Sequence, residues 1–131
     1  MYIQMPQELI TRIENRAEFL EILKQKKGVF VIKFGADWCG PCKIIEEEVN
    51  AYFKQMPDNV QCAMIDIDTS LDLYAYLKSK KIVSAIPTLL CYHNENTSYV
   101  PDDIHTGTDK IQLNTFFENC KEAADNALEN K

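Results

Sequence analysis

No stretch of this 131-residue sequence approaches the roughly 20 consecutive apolar residues that a membrane-spanning helix needs. Basic residues are the minority among its charges: 14 Lys and Arg stand against 20 Asp and Glu, a net charge of −6. Such a surface repels the phosphates of nucleic acid and of anionic lipid, so neither nucleic acid nor membrane is an expected partner. The opening Met1-Tyr2-Ile3-Gln4-Met5-Pro6-Gln7-Glu8 has neither a basic start nor an apolar core, so no signal peptide is expected. There is no internal repeat, low-complexity tract or linker. The length suits one domain, expected to span residues 1–131 as a monomer. With 46% hydrophobic and 26% charged residues, that domain can build a core without covalent staples.

Cysteine is present in an odd number, as Cys39, Cys42, Cys62, Cys91 and Cys120. An odd count at irregular spacing, without an export signal, excludes a stapled secreted framework and points to a reducing compartment such as the cytoplasm. Two of the five sit together as Cys39-Gly40-Pro41-Cys42. Cys62, Cys91 and Cys120 have apolar neighbours and read as buried, inert packing. A regulatory thiol is the second reading for Cys120.

The alternation Leu9/Thr11/Ile13 fits a short first strand in Glu8–Ile13. Asn15-Arg16-Ala17-Glu18 reads as a capping box opening a helix with Phe19, Leu20 and Leu23 on one face, ending near Lys27-Gly28. Val29-Phe30-Val31-Ile32-Lys33-Phe34 reads as a central strand buried on both faces. A helix is expected from Lys43 to about Gln55, with Ile44, Ile45, Val49, Tyr52 and Phe53 inward. Val60–Asp66 is a second apolar strand. Thr69 or Ser70 caps a helix carrying Leu71, Leu73, Tyr74 and Leu77. Pro87–Tyr92 is a further strand, His93–Asn96 a turn, and Thr97–Val100 the returning strand. Asp109 to Gln112 opens a last helix burying Leu113, Phe116, Phe117 and Cys120. The order β-α-β-α-β-α-β-β-α implies an α/β fold: a mixed sheet with helices on both faces.

Two cysteines three apart, after a strand and at a helix start, suit a disulfide that forms and breaks with little backbone motion. Unpaired N–H groups and partial positive charge at a helix N-terminus stabilise a thiolate, the attacking species in thiol–disulfide exchange. Cys39, outside the first turn and open to a substrate, is the expected nucleophile. Cys42, one turn further in and more shielded, is the expected resolving thiol. Gly40 permits the turn, and Pro41 suits a first helical turn where a missing N–H costs nothing. A zinc site also uses paired cysteines, but zinc takes four ligands. The other cysteines lie in apolar segments, and His93 and His105 are far along the chain, so no metal is expected.

Phe34-Gly35-Ala36-Asp37-Trp38-Cys39-Gly40-Pro41-Cys42-Lys43 resembles the active-site segment of the thioredoxin family. Ile86-Pro87-Thr88 resembles that family's cis-proline loop, and Met64-Ile65-Asp66-Ile67-Asp68 the end of its third strand. The likeness runs from about Ile13 to Ala124. It implies a thioredoxin fold and a dithiol–disulfide oxidoreductase, with Trp38, Gly40, Pro41, Ala85, Ile86 and Pro87 along the substrate groove. It implies that Gly107 matches the glycine bordering that groove, with His105 at its rim or simply on the surface. The resemblance implies no bound cofactor: electrons would come from a separate flavin- and NADPH-dependent reductase, and the substrates would be disulfide-containing proteins.

The sequence departs from the family pattern in four places. Lys33 stands where the family commonly has a buried aspartate, and Met64 where a partner lysine often lies. Lys33 then either snorkels to water or sits beneath Cys42 and tunes its proton affinity. Glu47 stands where a proline often kinks the second helix, so a straighter helix is expected. The segment from Tyr92 to Gly107 is longer than the usual hairpin. Two rival readings remain. Phe34–Trp38 with Lys110-Ile111 is also similar to thioredoxin-fold splicing-factor relatives, which act as binding modules without a working cysteine pair. An oxidase or isomerase would carry a different dipeptide between the cysteines.

Overall fold

β1 (Val29–Gly35) is the centre of the molecule, and all seven of its residues are buried. In the computed structural model, which describes residues 7–129, the strand lies between two others. The strands β2 (Val60–Asp66), β3 (Thr88–Tyr92) and β4 (Asp103–Thr106) join it in the order β2-β1-β3-β4. β1 runs parallel to β2, with Lys33 opposite Met64, and antiparallel to β3, with Lys33 opposite Leu89. β3 pairs antiparallel with β4. The opening residues Met1–Pro6, read above for a signal peptide, lie outside the described residues.

Alternation along β1 divides the core in two. Phe30, Ile32 and Phe34 pack with Phe19 and Leu23 of α1 (Arg16–Gln25) and Leu73 and Leu77 of α4 (Leu71–Ser79). Val29 and Val31 face the other way. They meet Val49 and Phe53 of α3 (Glu46–Gln55) and Leu113, Phe117 and Cys120 of α5 (Lys110–Glu129). Tyr52 stacks on Phe117 with ring centroids 4.4 Å apart, worth about 1 kcal/mol beyond area burial. Each long side chain fully buried here contributes about 1.5–3 kcal/mol.

The helix caps follow their residue types. The Glu18 N–H donates to Asn15 Oδ1 at 2.9 Å, and the Glu18 carboxylate accepts from the Glu14 N–H at 2.9 Å, one residue before the cap. Asp109 Oδ1 accepts from the N–H groups of Ile111 and Gln112 and so starts α5. Ser70 is the cap residue of α4, but its buried hydroxyl finds no partner among the described residues.

Several expectations are corrected. The strand read in Glu8–Ile13 is one parallel bridge, Ile10 to Ala63, because Leu9 and Thr11 face solvent and only Ile13 is fully buried. The helix read from Lys43 to Gln55 starts earlier, at Gly40, and is not straight. α2 (Gly40–Ile44) ends at Ile45, whose φ of −104° and ψ of 1° interrupt the spiral before α3. Ile45 is fully buried while Ile44 is 55% exposed, so the break turns one of two adjacent isoleucines into the core. A kink therefore arises here without proline. Leu71, at the start of α4, faces solvent. Thr97–Val100 is a loop, and the returning strand is Asp103–Thr106. Side chains satisfy that loop's backbone locally: Asn96 accepts from the Ser98 N–H, Ser98 accepts from the Val100 N–H, and Asn96 donates to the Val100 carbonyl.

Gly28 joins α1 to β1 at φ +129°, and a Cβ there would collide with the Asn59 carbonyl that accepts the Val29 N–H. Gly28→Ala is expected to cost about 1–3 kcal/mol in urea unfolding. A loss below about 0.5 kcal/mol, the range of neutral surface changes, would contradict this placement.

Candidate active site

β1 delivers the chain to the site. After Gly35 the backbone leaves the sheet, and the Cys39 N–H donates to the Ala36 carbonyl at 3.1 Å in a tight turn. Cys39 is the cap residue of α2, and Pro41 lies in its first turn, where no N–H is needed. Cys39 and Cys42 form a disulfide with Cα atoms 5.3 Å apart. The Cys42 N–H donates to Cys39 Sγ at 3.2 Å. α2 is little more than one turn, so this direct hydrogen bond, more than a helix dipole, favours charge on Cys39.

The expected contrast in exposure between the two sulfurs is corrected: Cys39 is 4% exposed and Cys42 5%. Surroundings distinguish them. Cys39 Sγ lies 3.8 Å from the Ile86 carbonyl, on the groove side. Cys42 Sγ faces inward, where a Cβ added to Gly35 would sit 3.3 Å from it. A side chain there would require the sulfur to shift by a few tenths of an ångström.

Three segments lie beside Cys39. Trp38 is 67% exposed, and its Nε1–H donates to Asp68 Oδ2 at 2.8 Å. Asp68 is held in turn by its own N–H, which donates to Asp66 Oδ1. The Ile86–Pro87 peptide bond is cis. Ala85 is exposed, Ile86 half-buried and Pro87 buried. Thr88 Oγ1 donates to the Ala85 carbonyl at 2.6 Å. Gly107, at φ +100°, donates its N–H to the Pro87 carbonyl at 3.0 Å and so ties the third segment to the second. Gly40 and Pro41 are exposed beside the sulfurs. The structure thus gathers Trp38, Gly40, Pro41, Ala85, Ile86, Pro87 and Gly107 around Cys39.

His105 is neither a rim nor a surface residue. It is 3% exposed, because β4 turns it inward toward Phe116, and its Nε2 lies 3.0 Å from the Gly107 carbonyl. Lys33 is 5% exposed, and burial lowers its proton affinity while the Glu46 carboxylate partly offsets that. Sequence reasoning missed Asp68, the indole's partner, and Glu46, which faces Lys33. Thirty positions separate Trp38 from Asp68, and no periodicity marks such a contact. Among the described residues, no group of three or more His, Cys, Asp or Glu could hold a metal ion. No helix among them is long and apolar enough to cross a membrane.

Comparison with known proteins agrees with this geometry. The thioredoxin family's sequence profile matches residues 10–119. The chain belongs to the thioredoxin family. Thioredoxin 3 of Plasmodium falciparum is 28% identical over 123 residues, 92% of this chain and 65% of that protein. Thioredoxin-1 of Saccharomyces cerevisiae is 35% identical over 86 residues, 66% of this chain and 78% of that protein. The chain thus spans just under two thirds of the Plasmodium relative's length. The structure of Trichomonas vaginalis thioredoxin superposes with a TM-score of 0.68 at 21% identity, covering 85% of this chain and 96% of that one, and shows the shared fold. The fold is the thioredoxin fold, and the Cys39–Cys42 pair lies at the start of its first helix after the central strand.

The remaining thiols differ from the pair. Cys62, Cys91 and Cys120 are buried and free; burial pushes Cys62 up to about 12, and a hydrogen bond with Cys91 together with burial pushes Cys120 up. Neutral buried thiols are poor nucleophiles. Iodoacetamide at about pH 8 is therefore expected to modify the reduced native protein at Cys39 and to spare these three until denaturant is added. Peptide mapping that finds Cys62, Cys91 or Cys120 alkylated as fast as Cys39 would contradict their placement in the core.

Proposed function

We propose that the chain is a protein-disulfide reductase in which Cys39 attacks and Cys42 resolves. The observation that carries this reading is the Cys39–Cys42 disulfide itself, with the Cys42 N–H aimed at Cys39 Sγ and the Ile86 carbonyl beside it. The Cys39 thiolate attacks one sulfur of a substrate disulfide. The substrate S–S bond breaks, and the electron pair leaves on the other substrate sulfur, which takes a proton from solvent. The Cys42 thiolate then attacks Cys39 Sγ, forms the intramolecular disulfide and expels the second substrate thiolate. The dithiol has lost two electrons and the substrate disulfide has gained them.

Ala85, Ile86, Pro87 and Gly107 form one wall of the substrate groove, and Trp38, Gly40 and Pro41 the other. An extended peptide laid along the Ala85–Ile86 backbone would present its sulfur to Cys39. No bound cofactor takes part. A separate reductase of the flavin- and NADPH-dependent kind restores the dithiol. The protein works as a monomer in a reducing compartment such as the cytoplasm, where an open dithiol persists.

Insulin-disulfide reduction tests the reading, with dithiothreitol as donor in one arm and NADPH with a thioredoxin reductase in the other. Turnover in both arms is expected, falling at least about 100-fold in Cys39→Ser. Turnover with dithiothreitol alone would keep the exchange chemistry and overturn the donor assignment. No turnover in either arm would overturn the reductase reading and leave a protein-binding module.

A further inference from the structure

Beneath Cys42 lies a cleft of about 540 Å³ whose lining includes Lys33, Cys42, Glu46, Met64 and Asp66. A lysine at the centre of a sheet is costly to desolvate unless it is paired. Its strand neighbours in register, Met64 and Leu89, offer no charge. Among the described residues its ammonium makes no hydrogen bond or ion pair. Yet it shares the cleft with the resolving sulfur, and a Cβ placed on Gly35 would have Cys42 Sγ at 3.3 Å and Lys33 Cε at 3.7 Å, which brings the end of the lysine stem near that sulfur. The other charged groups facing this space are Glu46 from α3, Lys43 from α2, Asp66 from β2 and Asp37 from the β1–α2 turn.

We propose that Lys33 is a positioning residue for the resolving step: its ammonium, seated under Cys42, stabilises the Cys42 thiolate and with it the dithiol form of the pair. The inference rests on the reading that Cys42 resolves the mixed disulfide. In the disulfide, Cys42 carries no charge for Lys33 to favour. In the reduced protein, the Cys42 proton leaves to solvent through the cleft, and the charge left on sulfur meets a cation. Lys33 therefore acts on one redox state only. It makes resolution faster near neutral pH and makes the Cys39–Cys42 disulfide easier to reduce. Glu46 opposes this by drawing the ammonium's field toward itself, which makes it the group that limits the effect.

The Cys39→Ser protein isolates Cys42 for titration, followed by ultraviolet absorbance of the thiolate. Adding Lys33→Met is expected to raise the Cys42 midpoint by about one pH unit or more, and Lys33→Arg to keep it near the wild-type value. With both cysteines present and at a pH above both midpoints, Lys33→Met is expected to shift the glutathione equilibrium about tenfold toward the disulfide, about 30 mV. Methionine removes a buried charge, so this variant should melt no lower than wild type. Heteronuclear NMR of the Lys33 side chain needs no mutation. Linkage is reciprocal, so the ammonium must titrate at higher pH in the reduced protein than in the oxidised one. An unchanged Cys42 midpoint in Lys33→Met, or equal Lys33 midpoints in the two redox states, would overturn the proposal while insulin reduction continued. Loss of insulin reduction in the wild type would instead remove the reading beneath it.

Discussion

The burial of β1 on both faces is the constraint on which the rest depends. A strand hydrogen-bonded on both edges and covered on both faces cannot shift by one residue without sending Phe30, Ile32 and Phe34 into the other half of the core. That fixed register places Gly35 at the strand end, the disulfide turn just beyond it, and Lys33 on the side of Cys42. The reactive pair thus hangs from the strand buried on both faces, while its substrate would meet loops. Precision in the sulfurs and adaptability in the groove have separate structural sources.

The loops beside the sulfurs show the same economy of fixation. The Gly107 N–H bond to the Pro87 carbonyl and the hydrogen bond between the Thr88 and Thr106 hydroxyls join the end of β4 to the start of β3. His105 reaches the Gly107 carbonyl from within the core, so the loop beside the sulfurs is anchored to a buried ring. On the opposite wall, Trp38 keeps its ring in solvent because Asp68 holds its one donor. An exposed tryptophan fixed by one polar bond offers a large apolar face at little conformational cost to whatever docks there.

Much of this was legible in the residues. Val29–Phe34 has the composition of a doubly buried strand, and Asp109 and Asn15 mark helix starts by chemistry that needs no tertiary context. The cysteine pair and Ile86-Pro87-Thr88 carried the family resemblance. Other features are tertiary and leave no local trace. Ile44 and Ile45 are equally apolar, and the break between α2 and α3 that sends Ile45 inside is not visible in either residue. Asn96 and Ser98 hold the backbone of Thr97–Val100 in a loop, although its place after a turn suits a returning strand. His105 reads as polar until β4 turns it inward. The cleft under Cys42 combines Lys33 from one strand, Asp66 from another and Glu46 from a helix, a meeting that no spacing announces.

Covalent capture tests the central claim most directly. With Cys42→Ser, the attacking sulfur has no partner to release it, so incubation with a disulfide-bonded protein should accumulate a mixed disulfide. Peptide mapping by mass spectrometry is predicted to place that adduct on Cys39 alone, and dithiothreitol to remove it. An adduct on Cys62, Cys91 or Cys120, or no adduct while Cys39 remains reduced and the fold intact, would contradict the assignment of Cys39 as the sulfur through which this protein exchanges disulfides.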